Sequence, residues 1–237
     1  MNIDLTREDV VRDDSTVIEL KNEGKDLLQG KENAYKISKR IIDIIGSIIG
    51  ILTLVPLTIG VFIAKLVTKD KGPVFYDQNR IGKDGKIFKM YKFRSMVVGA
   101  DDILQEYLNS NTEANEEYRI NKKLKNDPRV TKVGEFIRKT SIDEFPQFIN
   151  VLKGEMSLVG PRPYLPREIN DIGEYYPYIT SVKPGITGLW QIRGRNDVTF
   201  NDRLKLDMEY FEKKNLLFET KILFWTVSSV VHKKGAK

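Results

Sequence analysis

The chain contains no cysteine and a single histidine, His232, close to its C-terminus. The first absence excludes disulfides, thiol nucleophiles and Cys-ligated zinc. The second excludes a His-based catalytic triad and a multi-His metal site. Any chemistry must rest on carboxylates, Arg and Lys, hydroxyls, and a metal of the kind that carboxylates hold. A secretory signal is also missing, because the apolar segment starts too far in and runs too long. There are no internal repeats.

What is present is a surplus of positive charge. Across 237 residues the net charge is +6, with charged residues at 30% and hydrophobic ones at 41%. Such a chain can bury a core, and its basic balance points to an anionic partner: nucleic acid, a membrane surface or phosphorylated substrates. Residues 1–35 are polar and mixed in charge, which predicts a flexible N-terminal extension. Residues 36–69 predict a membrane-anchoring helix, since from Ile44 to Ala64 there is no charge. At about 1.5 Å per residue that run is roughly as long as a bilayer core is thick.

Two readings of this segment stay open. Lys31, Lys36, Lys39 and Arg40 flank one end, and Lys65, Lys69, Lys71 and Arg80 flank the other. Charge bias ordinarily leaves one flank poor in Lys and Arg. Pro56 sits just past the middle, where it removes a helical donor and bends the axis. A re-entrant helix–break–helix with both ends on the cytoplasmic face explains both facts, with Thr53 or Thr58 satisfying the freed backbone groups. A kinked spanning helix is the alternative.

Residues 70–237 read as a compact α/β domain, mostly helical with a small β-hairpin. Gly82 and Asp84-Gly85 punctuate the hairpin over 73–98. Helices are predicted at 101–125, 143–152, 166–175 and 202–215. The apolar stretch 216–231, interrupted by Glu219 and Lys221, predicts a membrane-surface or core helix.

Four segments carry candidate chemistry. In Thr140-Ser141-Ile142-Asp143-Glu144-Phe145-Pro146-Gln147, adjacent carboxylates open an expected helix after Arg138-Lys139. A helix N-terminus beside cations keeps an Asp ionised for attack on phosphorus, and a second carboxylate can hold Mg2+. Ser141-x-x-Glu144 is equally a capping box, and Asp143 itself an N-cap. In Ser157-Leu158-Val159-Gly160-Pro161-Arg162-Pro163, a stiff turn presents one guanidinium suited to phosphate, or is only a rigid loop. Phe75 to Gly82 and Phe88 to Met96 alternate aromatic and basic residues, including Arg80 and Arg94. That pattern suits a nucleic-acid surface, a membrane-interface belt or a cationic strand. In Lys183-Pro184-Gly185-Ile186-Thr187-Gly188-Leu189-Trp190-Gln191, followed by Arg193-Gly194-Arg195-Asn196, glycines permit close approach, and Trp190 with Gln191 suits a base or sugar.

Taken in order, KFRSM, NDPRVTKVGEFIRKTSIDEFPQ, LKGEMSLVGPRP and KPGITGLWQIRGRN resemble the bacterial sugar transferases, the monotopic phosphoglycosyl transferases, over residues 36–231. The resemblance implies a re-entrant helix, a small cytosolic catalytic domain with membrane-surface helices, and an Asp-Glu dyad with Mg2+. It makes Asp143 the nucleophile on a UDP-sugar, expelling UMP, and passes the sugar phosphate to polyprenyl phosphate. Glu144 assists the metal or the phosphate, and Arg138 and Arg162 match family arginines that hold phosphate. From the residue pattern itself, Arg80, Arg94, Gln191 and Arg195 are further candidate substrate contacts. The resemblance places the protein on the inner leaflet of a bacterial membrane, as a minimal catalytic form feeding downstream glycosyltransferases, with a homodimer left open and no nucleic-acid partner. Family members often read Ser-Pro at the break, where this chain has Val55-Pro56. A glycosyltransferase moving the sugar without its phosphate is the alternative activity.

Overall fold

A computed structural model describes residues 7–194 and 198–231, with side chains from Gln29 to Ser229. The candidate contact Arg195 therefore lies outside the described residues. By its contacts the chain divides into two units, residues 1–41 and 42–237. Helix α1, Arg7–Val67, begins inside the stretch read as a polar extension. In the first unit it carries an exposed Glu32–Lys36 ion pair at 2.7 Å.

The second unit takes up α1 from Ile42 onward. Here α1 has two apolar faces. Leu54 and Val61 are buried among Phe93, Val133 and Ile137, while Ile45, Ile48, Ile49, Leu52, Val55, Ile59, Phe62 and Ile63 lie exposed. Gly50 lets the helix approach closely: a Cβ there would fall 2.3 Å from the Phe148 ring. Polar groups fix the inner face at both ends. Buried Asp43 accepts from Ser157 Oγ at 2.9 Å and from the Leu158 N–H at 2.8 Å. Buried Lys65 pairs with Asp70 at 2.6 Å, and Asp70 also pairs with Arg94.

The helix runs without interruption across Pro56, so the expected break does not appear as a gap between two helices. Pro56 cannot donate to the Leu52 carbonyl one turn back. The Thr53 and Thr58 hydroxyls do not serve that carbonyl; they bond those of Gly50 and Leu54, at 2.8 Å each. Each threonine thus satisfies its own turn rather than the one proline disturbs.

Strands β1, Phe75–Ile81, and β2, Ile87–Phe93, form the expected antiparallel hairpin, with Phe75 opposite Phe93 and Ile81 opposite Ile87. Asp84 and Gly85 turn it with positive φ, the conformation for which Asp-Gly is suited. The stretch 101–125 is two helices, α2, Ala100–Ser110, and α3, Thr112–Asn121, split where the Asn111 side chain caps the second at 2.9 Å. Then come α4, Lys132–Lys139, a 3-10 turn, Ile142–Glu144, and α5, Gln147–Lys153.

A second sheet pairs β3, Ser157–Val159, with β4, Gly185–Thr187, in parallel. Sequence patterning does not reveal it, because three-residue strands from distant segments carry no period. Between them, the one helix expected over 166–175 is a 3-10 turn, Pro166–Glu168, the short α6, Ile169–Ile172, and a second 3-10 turn, Gly173–Tyr175; α7, Tyr176–Thr180, follows. The chain closes with α8, Leu189–Arg193, α9, Phe200–Lys213, and α10, Leu216–Val231. The main core gathers Met90, Val151, Met156, Leu189, Tyr210 and Ile222. Glu219 is tolerated in α10 because it points inward and accepts from the Tyr210 hydroxyl. Phe224, Trp225 and Val227 of the same helix remain exposed.

Candidate active site

The carboxylates do not stand where a helix-capping role would put them. Asp143 and Glu144 occupy the 3-10 turn, preceded by Ser141 in the left-handed region (φ 57°), whose side chain does not cap it. Helix α5 starts only at Gln147, with Pro146 as its N-cap and no acid in its first turn. The expectation that a helix N-terminus ionises Asp143 is therefore corrected.

Asp143 is buried and Glu144 partly exposed. Between them reaches Lys92 of β2, its Nζ 3.1 Å from Glu144 Oε1 and 3.8 Å from Asp143 Oδ2. Burial raises the Asp143 carboxyl to about 6; Lys92 and Arg138 pull it down and Glu144 pushes it up. Desolvation of a buried carboxyl outweighs the pull of two cations, so its pKa is raised where a depressed one was expected.

Arg138 lies in the last turn of α4, where a cation complements the helix dipole. It is exposed, and its Nε donates to Ser95 Oγ at 3.0 Å. Gly134 permits this approach, since a Cβ there would collide with the Ser95 carbonyl at 1.8 Å.

Lys92 was missed by sequence reasoning, although the strand carried a signal. It shares parity with buried Phe88 and Met90, so a lysine stands on an inward-facing position. Arg94, expected to contact substrate, is bonded within the chain. Its Nε donates to the Pro73 carbonyl at 2.8 Å, one terminal nitrogen to Met96 at 3.1 Å, and the other to Asp70. With all three nitrogens engaged, it ties the end of β2 to the loop after α1.

The remaining predicted residues form another group. Sheet β3–β4 brings the Gly-Pro-Arg-Pro turn onto the Pro-Gly-Ile-Thr-Gly segment: Gly160 N–H donates to Thr187 at 3.0 Å and Gly185 N–H to Pro161 at 2.9 Å. Arg162 and Arg203 flank the Trp190 ring at 5.6 and 5.8 Å. Arg80 is buried, donating to the Pro163 carbonyl at 2.9 Å and to Gln78. Burial, reinforced by the Arg162 charge, pushes Arg80 down to about 9 and Arg203 to about 10. Beneath them, fully buried Asp207 accepts from Tyr164 OH at 2.8 Å and from the Arg162 N–H at 3.1 Å. Gln191 donates to the Ile186 carbonyl at 3.2 Å. Its Oε1, the Trp190 Nε1 and the Arg162 Nε are buried without a hydrogen-bond partner among the described residues. Three guanidiniums against Asp207 and Glu168 leave this region rich in buried positive charge.

Among the described residues no group of three or more His, Cys, Asp or Glu gathers. The donor set of Asp143 and Glu144, two adjacent carboxylates, fits Mg2+, which takes one or two carboxylates and completes its shell with water and substrate phosphate.

A carboxylate dyad thus shares one lysine, and a second group brings together Arg80, Arg162 and Arg203. The family model for bacterial sugar transferases matches residues 34–233, and the chain belongs to that family. It is 46% identical over 198 residues to the undecaprenyl-phosphate galactose phosphotransferase of Salmonella typhimurium, covering 84% of this chain and 41% of that protein. It is 44% identical over 214 residues to an uncharacterized sugar transferase of Haemophilus influenzae, covering 89% and 45%. Against the exopolysaccharide production protein ExoY of Sinorhizobium fredii it is 42% identical over 200 residues, covering 84% and 88%. The chain thus spans less than half the length of the first two.

Proposed function

We propose that this protein transfers a sugar-1-phosphate from a UDP-sugar to a polyprenyl phosphate such as undecaprenyl phosphate, releasing UMP, in polysaccharide or capsule synthesis. The observation that carries the reading is the buried Asp143 held beside Lys92, with Glu144 on the other side of the ammonium. An Asp143 oxygen attacks the sugar-bearing phosphorus as the bond to the bridging oxygen breaks, and UMP leaves with that oxygen. A phosphate oxygen of the lipid then attacks the same phosphorus, displacing Asp143 and leaving a lipid-linked diphosphate sugar. Lys92 and Arg138 supply positive charge to the phosphoryl oxygens. Asp143 and Glu144 are the residues that would hold Mg2+, which when bound would supply positive charge for phosphoryl transfer. Arg162 binds phosphate, with Trp190 and Gln191 toward the nucleoside or sugar. Glycosyltransferases downstream would extend the product.

We place the enzyme on the cytoplasmic face, with α1 entering the bilayer and not crossing it. What supports this is the docking of α1 on the domain at both Asp43 and Lys65, about 33 Å apart along a helix. A crossing helix would carry one of these ends to the far side of the membrane, away from its partners. The exposed apolar face between them suits lipid.

The test is single turnover with UDP-sugar and no lipid. UMP should appear at up to one equivalent per enzyme, with the protein heavier by one sugar phosphate on Asp143. Asp143→Asn should abolish both. Release of UDP would point to the rival glycosyltransferase, and an adduct on Glu144 would overturn the nucleophile.

A further inference from the structure

We propose that Asn150 is the positioning residue of this site: its buried amide acts as a substitute strand on the free edge of β2 and so holds Lys92 against the carboxylates. The inference rests on the dyad chemistry above, and one of its measurements does not.

Among the described residues, β2 pairs with β1 on one edge and with no strand on the other. The Arg94 N–H bonds the Val74 carbonyl and the Gly82 N–H bonds the Lys86 carbonyl. In an antiparallel ladder this register turns the even-numbered peptide groups of β2 toward β1 and the odd-numbered ones away. The outward Lys89 C=O and Tyr91 N–H would then lack strand partners. Asn150 supplies both: its Oδ1 accepts from the Tyr91 N–H at 3.0 Å, and its Nδ2 donates to the Lys89 carbonyl at 2.7 Å. The second amide hydrogen goes to Glu155 Oε2 at 2.8 Å. Asn150 is 0% exposed, so these bonds are made away from water.

The fit is specific to asparagine. One acceptor and two donors are all in use; aspartate has no donor, leucine has neither, and glutamine is a methylene too long. Around this strut, Lys153 pairs with Glu155 at 3.3 Å, and its Nζ lies 3.2 Å from the Tyr91 hydroxyl and 5.1 Å from the ring centroid. Residue 91 is thus held through backbone and side chain, and the next residue is Lys92. Asn150 sits on α5, directly after the turn that bears Asp143 and Glu144. One amide therefore braces the lysine's strand to the carboxylates' segment, its hydrogen bonds going to Tyr91, Lys89 and Glu155.

The experiment is a double-mutant cycle in the full-length, detergent-solubilised enzyme, following UMP release from a UDP-sugar that it accepts. Asn150→Asp should lower kcat at least about tenfold while KM for the UDP-sugar stays within about twofold. Lys92→Met should cost at least as much. In the double variant the losses should not multiply, because a misplaced lysine and a missing one are equivalent. Multiplying losses, or near-normal kcat in Asn150→Asp, would overturn the proposal. Amide hydrogen exchange in the wild type needs no reaction. The Tyr91 amide should exchange as slowly as the Met90 and Lys92 amides bonded to β1, and rapid exchange at Tyr91 would overturn it even where Asn150→Asp fails to fold.

Discussion

Two buried acids share a raised pKa for one reason and have different fates. Asp143 is raised to about 6 beside Lys92, and Asp207 to about 7, with desolvation first in each case. Asp207 bonds Tyr164 and the Arg162 N–H, and the charges of Arg162 and Arg203 only partly offset its burial. Because its folded value lies above its ordinary one, it binds its proton more tightly when folded. Its contribution to stability is complete below about pH 4 and is lost as pH rises through about 7. Melting temperatures at pH 5 and pH 8 should therefore shift in favour of Asp207→Asn, relative to wild type, at the higher pH. At Arg162 a separate test applies. Replacement by Lys keeps the charge and loses the fork, so turnover should fall at least about tenfold; unchanged turnover would leave only a point charge there.

Among the elements, α1 is held by polar contacts at its two ends and by apolar contacts between. At the C-terminal end, burial works to raise Asp70, but bonds from Lys65, the Gly72 N–H and Arg94 prevail and hold it low. Lys65 and Arg94 are only 3% and 6% exposed, so removing their common partner strands two buried cations. Asp70→Asn should destabilise the fold by about 3–5 kcal/mol, read from denaturant unfolding. A loss under about 1 kcal/mol would mean that the pair is solvated after all. The hairpin of β1 and β2 was legible because its alternation and its Asp84-Gly85 turn are local. The same alternation marked Lys92 as inward, but only the packing of the 3-10 turn on β2 shows what it faces.

For the molecule as a whole, the arrangement of α1 decides where the chain meets a membrane. In this cysteine-free sequence, single cysteines at Lys31 and Lys71 report topology cleanly. Both should resist an impermeant thiol reagent in intact spheroplasts and react once the membrane is opened. Labelling at position 31 alone in intact cells would show that the helix crosses. By itself the sequence determined that chemistry falls to carboxylates and cations, that one segment is apolar enough to enter a bilayer, and that Asp143 and Glu144 adjoin a basic pair. These are matters of composition, period and neighbours along the chain. Tertiary structure alone decided that Lys92 lies between those carboxylates, that Arg94 is spent on Asp70, and that Arg162 joins Arg203 and Trp190 through a parallel sheet of three-residue strands. Asn150 also gained its place at the free edge of β2 only there. Each is a contact between distant segments, fixed by which edges and buried charges needed partners once the chain had closed.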